Sequence, residues 1–183
     1  MEIMRLMVTG PHGAGKSTFI RSVGQIAKAH STPPNSQENP FTPTAITPNF
    51  GQFQIGPNQL LHLYKTPVEA GPPTFNFMWD VLLQKVHAYI LLVPANKPQE
   101  FRHARLIHRF IQQRISLPMI VGLTHTDLGE SWDMNTAAIA IGFTDVATRP
   151  PIVSINATSH TSVVKAMMLL VNQCIGPSQH NSV

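Results

Sequence analysis

Gly10-Pro11-His12-Gly13-Ala14-Gly15-Lys16-Ser17 decides how this chain is read. It fits the pattern G-x-x-x-x-G-K-S/T, and does so once. The residues before it, Ile3–Thr9, form a short apolar run that stops at Gly10 and predicts a buried strand. After it, Phe19, Ile20, Val23, Ile26 and Ala27 recur at helical spacing. The unit is therefore strand, glycine-rich loop, helix. Glycines let the backbone curl until successive N–H groups point inward at an anion. The helix that follows adds its positive end. Lys16 reaches toward the outer phosphates of a nucleotide, and the Ser17 hydroxyl suits Mg2+. The phosphate-binding candidates are thus Gly10, Pro11, His12, Gly13, Ala14, Gly15, Lys16, Ser17 and Thr18. The competing reading is a chance glycine-rich turn. The motif says nucleotide without saying which one, and a small-molecule kinase carries a similar loop. A kinase also needs acids or arginines near the second strand and an arginine-rich lid. Here the segment after the first helix has Glu38 alone, and no lid pattern occurs.

Outward from this unit, strand and helix patterns alternate, which predicts a parallel sheet with crossover helices. His30–Phe50 holds five prolines and no periodicity, so a long loop is expected. Gln52–Ile55 alternates like a half-buried strand, Gly56-Pro57-Asn58 is a turn, and Leu60–Lys65 returns as a strand. A link that short makes the pair antiparallel. A second proline-rich loop, Thr66–Thr74, leads to a helix near Phe75–Val86, then an apolar strand at Ala88–Val93. Gln99–Ile115 predicts a helix with Leu106, Ile107, Phe110 and Ile111 inward, and Pro118–Leu123 another buried strand. Asn135–Ile141 is a weak helix with Asn135 or Thr136 as its cap. Ile152–Ile155 is the last strand, and Ser162–Ile175 the last helix, stopped by Gly176-Pro177. No repeat or linker interrupts residues 1–183. The expectation is one α/β domain of about six strands, mainly parallel, with one antiparallel strand and helices on both faces.

Composition narrows the classes. Of 183 residues, 12% are charged, against roughly 25% in an average soluble domain. Thirteen Lys and Arg face nine Asp and Glu, for a net charge of +4. No apolar run reaches the ~18 residues of a membrane span, and no signal-peptide pattern occurs. Hydrophobic content of 43% is too high for a disordered chain. Sixteen prolines and eleven glycines stay below the roughly 25–30% of low-complexity chains. The single cysteine, Cys174, fits a reducing cytosol and reads as a buried thiol. A cytoplasmic location is expected.

The apolar strand Met119–Leu123 runs into Thr124-His125-Thr126-Asp127. Here the chain resembles the Ras-like small GTPases, whose guanine motif is Asn/Thr-Lys-x-Asp at this position. The resemblance implies a three-layer P-loop NTPase small G domain that binds GTP or GDP with Mg2+. Asp127 would accept two hydrogen bonds from the guanine N1–H and its exocyclic amine, a donor pair that adenine lacks. His125 stands where the family has Lys, and Thr124 where it often has Asn. An ordinary turn-and-cap aspartate is the alternative for Asp127. Asn156-Ala157-Thr158, after the last strand, resembles the family's final loop, where the Ala N–H meets the guanine O6.

More closely, the chain is similar to the bacterial Ras-like GTPases of the gliding-motility and polarity group. The matching stretches are the glycine-rich loop, Asn49-Phe50-Gly51, Leu61-His62-Leu63-Tyr64, Thr66-Pro67 and Phe77-Met78-Trp79-Asp80. The likeness implies a first switch at 31–50, a second at 65–74 and a tail at 177–183. Three residues depart from it. Lys65 stands where most GTPases place the Asp that holds Mg2+ through water. Val68 replaces the Gly whose N–H meets the γ-phosphate. Glu69 replaces the water-positioning Gln, where a carboxylate acts as a base only if its pKa rises. Hydrolysis is expected to be slow, absent or partner-dependent. Thr44 and Thr47 are the alternative first-switch ligands for Mg2+, and solvated loop threonines otherwise.

Arg102, Arg105 and Arg109 share one helix face, with Arg114, His103 and His108 on the same helix. This is either a docking face for an acidic partner or a solvated surface. No RNA-binding aromatics interleave with the arginines, so nucleic acid is not expected. His103 and His108 lie on different sides, so no tight metal set follows. Met167, Met168, Leu170 and Val171 read as core. Phe41, Pro43, Phe75 and Trp79 would offer a protein partner an apolar surface at the switch loops, and the family likeness implies a small roadblock-type activator.

Overall fold

In the computed structural model the described residues are 2–29, 46–47, 50–56, 58–66, 76–128 and 132–175. Their order is β1 (Glu2–Thr9), α1 (Lys16–Ala29), β2 (Ile46–Thr47), β3 (Phe50–Gly56), β4 (Gln59–Lys65), α2 (Asn76–Leu83), β5 (Ala88–Pro94), α3 (Gln99–Gln112), β6 (Met119–Thr124), α4 (Met134–Ile141), β7 (Ile152–Ser154) and α5 (His160–Ile175). One sheet carries all strands in the order β2-β3-β4-β1-β5-β6-β7. β1 pairs in parallel with β4 and β5, and β6 with β5 and β7. β3 alone runs against the rest, antiparallel to both β2 and β4. Its link to β4 is too short for a crossover.

The mostly parallel α/β sheet with one reversed strand follows the expectation. The strand beyond the six expected is the two-residue β2, inside the stretch expected to be a loop. Two residues are too few to show a period.

Side-chain alternation along each strand divides the interior into two layers. Leu6, Val8, Ile90, Leu92 and Ile120 face one side and pack with Phe19, Ile20, Val163 and Leu170 of α1 and α5. Met7, Leu91, Val93, Val121 and Leu123 face the other and pack with Trp79, Leu83, Phe101, Ile111, Ala137 and Ile141 of α2, α3 and α4. β5 and β6 are buried along their whole length, as parallel strands covered on both faces must be.

Several local expectations change. Leu106 is exposed, because it lies off the Phe101–Ala104–Ile111 stripe that α3 buries. Met168 is also exposed on α5, while Leu170 is buried. Trp79 is buried and meets Phe110 edge-on, ring centroids 5.4 Å apart, so it offers no partner surface. The cap of α4 is Asp133, whose carboxylate accepts from the N–H groups of Asn135 and Thr136. Asn135 and Thr136 are thus the capped residues. α3 ends at Gln112, before Ile115. Asp80 pairs with Arg114 at 2.9 Å, and the Arg114 guanidinium lies 3.6 Å from the centre of the Phe110 ring.

Candidate functional site

From β1 the chain crosses through α1 to β2 and returns by β3 to β4 on one side, and from β5 it crosses to β6 on the other. β1 and β5 are neighbours, so the connections diverge between them. Such a divergence opens a crevice at the carboxyl ends of the two strands. The loops that meet there are Gly10–Gly15 and Ala95–Pro98.

Gly10, Gly13 and Gly15 adopt φ values of 142°, 72° and 88°, the left-handed half of conformational space that glycine alone enters freely. At Gly10 space is the stricter limit, since a Cβ would lie 2.1 Å from the Leu92 carbonyl oxygen. The Lys16 ammonium is buried and donates to the carbonyls of Gly10 at 2.6 Å and Pro11 at 2.7 Å. Burial first, then the positive charge of Lys65, lower its pKa from 10.5 to about 8, while Glu100 acts the other way. An ammonium has three donors, so one remains for a ligand.

Two more lysines stand at this loop. Parallel pairing sets Lys65 opposite Val8, and its ammonium donates to the Ser17 hydroxyl at 3.1 Å. Lys97 Nζ comes within 3.2 Å of where a Gly13 Cβ would lie. Sequence reasoning missed Lys97; its usable signal was a lysine in the loop after the strand next to β1.

The expected base-binding residues lie on the same edge of the sheet. Thr124 is buried, and its hydroxyl donates to the Ala14 carbonyl at 3.1 Å. His125 has φ 57°, uncommon for a residue with a side chain, and its Nδ1 lies 3.1 Å from Thr124 Oγ1. Thr126 Oγ1 and Ser154 Oγ are 2.7 Å apart, tying this loop to β7. Asp127 is exposed and bonds to no other described residue. Ser22 of α1 donates to the Ala157 carbonyl at 2.6 Å. No local sequence signal marked Ser22, which lies 135 residues from its partner. The Asn156 side chain accepts from the N–H and hydroxyl of Thr158 at 3.0 and 2.6 Å, so both residues shape their own turn. A Cβ on Gly15 would lie 3.5 Å from the Ala157 methyl, which sets the glycine-rich loop against this turn.

Thr66 is buried; its N–H donates to the Val8 carbonyl and its hydroxyl to Thr9 Oγ1 at 3.0 Å. It therefore anchors the end of β4 to β1. His12 is exposed. Thr44, Val68 and Glu69 lie outside the described residues, as do Phe41, Pro43 and Phe75; Thr47 is in β2 with its side chain outside them.

Ser17 Oγ is already partnered by an ammonium. Among the described residues no group of three or more His, Cys, Asp or Glu is placed to hold a metal.

The arginine face expected on α3 divides. Arg105, Arg109 and Arg149 line a cleft of about 550 Å3 near Tyr89 and Met119, at the amino ends of β5 and β6, whereas Arg102 stands outside it. His108 also lines it, 3.0 Å from the Tyr89 hydroxyl, and burial lowers its pKa. Among the described residues no helix is long and apolar enough to cross a membrane. No protein-family model matches the chain, and no curated protein matches it.

Proposed function

We propose that the chain is a guanine-nucleotide-binding switch protein of the Ras-like kind, with GTP hydrolysis slow or dependent on a partner. One observation carries the reading. The glycine-rich loop, the Thr124–Asp127 loop and the Asn156–Thr158 turn meet on one sheet edge, joined by the Thr124–Ala14 and Ser22–Ala157 hydrogen bonds. Lys16, Lys65 and Lys97 supply positive charge for the phosphates. Asp127, which bonds to no other described residue, holds its carboxylate for the guanine N1–H and amine. The partner is a protein docked at the switch loops, of the roadblock type that the sequence likeness implies.

A second reading, a nucleotide-holding interaction module without turnover, draws on Lys65 beside Ser17. Titrating GDP, GTP, ADP and ATP against one purified sample, then following phosphate release, separates these readings. Guanine preference with slow release supports the switch, and guanine binding with no release the module. Adenine preference overturns both and favours a small-molecule kinase.

A further inference from the structure

We propose that Lys65 takes the place of the divalent cation, so that this protein holds its nucleotide without Mg2+. The inference rests on the guanine-nucleotide reading and concerns the same cradle.

Lys65 is the last residue of β4, and the parallel pairing with β1 delivers it beside the entry to the glycine-rich loop. Its ammonium donates to Ser17 Oγ, the atom that the loop motif assigns to the metal. Mg2+ binds oxygen at about 2.1 Å, so a metal on Ser17 Oγ would lie within about 5 Å of the ammonium 3.1 Å away. Two positive charges that close repel. Mg2+ in phosphate sites is held by one or two carboxylates as well as by the phosphates. Among the described residues the acid that acts on Lys16 is Glu100, and it accepts from His103 at 3.0 Å. Asp127 belongs to the base end of the site.

The lysine meets the same need from the protein itself. Lys16 already feels Lys65 as a neighbouring positive charge. A polyphosphate between them turns that repulsion into two attractions. Lys65 uses one donor on Ser17 and keeps two for phosphate oxygens, where lysine serves as a compact point charge. It thereby neutralises phosphate charge and orders the first turn of α1, both tasks of the cation.

The test is the affinity of the purified full chain for GDP and GTP, measured by calorimetry in Mg2+ and again in EDTA. Wild-type affinity is expected to agree within about threefold between the two buffers, while Lys65→Met loses about tenfold or more in EDTA. Lys65→Arg keeps EDTA-resistant binding, and Lys65→Asp binds only with Mg2+. If Lys65→Met does not fold, the wild-type comparison and Lys65→Arg decide. A wild-type loss of about tenfold or more in EDTA, with tight binding in Mg2+, overturns the substitution and leaves the nucleotide reading standing. Absence of binding in both buffers overturns both.

Discussion

The Thr124 hydroxyl donates to the Ala14 carbonyl at 3.1 Å, fastening the end of β6 to the middle of the glycine-rich loop across 110 residues of chain. The same hydroxyl lies 3.4 Å from the Val93 carbonyl at the end of β5. One buried group therefore holds three loops of the site in register. Thr124→Val keeps the shape and removes the donor. It is expected to lose about 1–3 kcal/mol in urea unfolding, because the buried Ala14 carbonyl loses the one hydroxyl proton that serves it. Guanine-nucleotide affinity should fall with it. Thr124→Ser should retain most of both.

Asp127 is exposed and bonds to no other described residue, so it is free to serve a ligand. Asp127→Ala should leave the thermal midpoint unchanged and weaken GDP binding by about tenfold or more, the worth of a charged hydrogen bond. Inosine diphosphate, which lacks the exocyclic amine, should bind the wild type more weakly than GDP and the variant equally. A drop in the midpoint without a change in base preference would assign Asp127 to structure.

Lys16 gives the site a pH dependence. Its pKa in the folded chain is about 8 against the ordinary 10.5, so the unfolded chain holds more protons between those values. Stability of the ligand-free protein should therefore rise with pH across that window. Polyphosphate favours the charged amine and drives proton uptake on binding. GDP affinity should fall as pH rises above about 8. Calorimetry in two buffers of different ionisation enthalpy measures the uptake directly.

The glycines of the loop differ in what they tolerate. At Gly10 a Cβ would lie 2.1 Å from a backbone oxygen. Gly10→Ala should cost at least about 3 kcal/mol or prevent folding, since neither backbone can yield. At Gly13 the nearest atom is the tip of the Lys97 side chain, 3.2 Å from the Cβ position. Gly13→Ala should cost on the order of 1 kcal/mol, mainly from its left-handed φ. Denaturant midpoints compare the two.

Asp133 caps α4, and its pKa is lowered first by the Thr136 hydroxyl, then by the Thr136 and Asn135 N–H groups. The cap's contribution is complete above the ordinary carboxylate range and is lost as pH falls through the lowered pKa. Asp133→Ala should lower the thermal midpoint at neutral pH and narrow its fall in acid, with Asp133→Asn recovering part of the loss.

Sequence alone carried the alternation of strands and helices, the reversed strand and the glycine-rich loop. These follow from hydrophobic period, a short turn and a local motif, all encoded within a few residues. It failed where the outcome depended on which stripe a helix buries. Leu106 and Trp79 are both large and apolar, yet one is exposed and the other buried. The choice of cap failed similarly: Asn135, Thr136 and Asp133 all suit a helix start, and the backbone selected Asp133.

The sequence by itself determined that a curled, glycine-permissive loop links a buried strand to a helix, because those conformations are dictated residue by residue. It also determined that a lysine, Lys65, closes the strand that returns from the short turn. Only the tertiary structure decided what that lysine touches. Parallel pairing of β4 with β1 brings Lys65 to Ser17, 48 residues away, at 3.1 Å. Contacts of that kind are set by strand register and sheet order, which no local pattern of residues specifies.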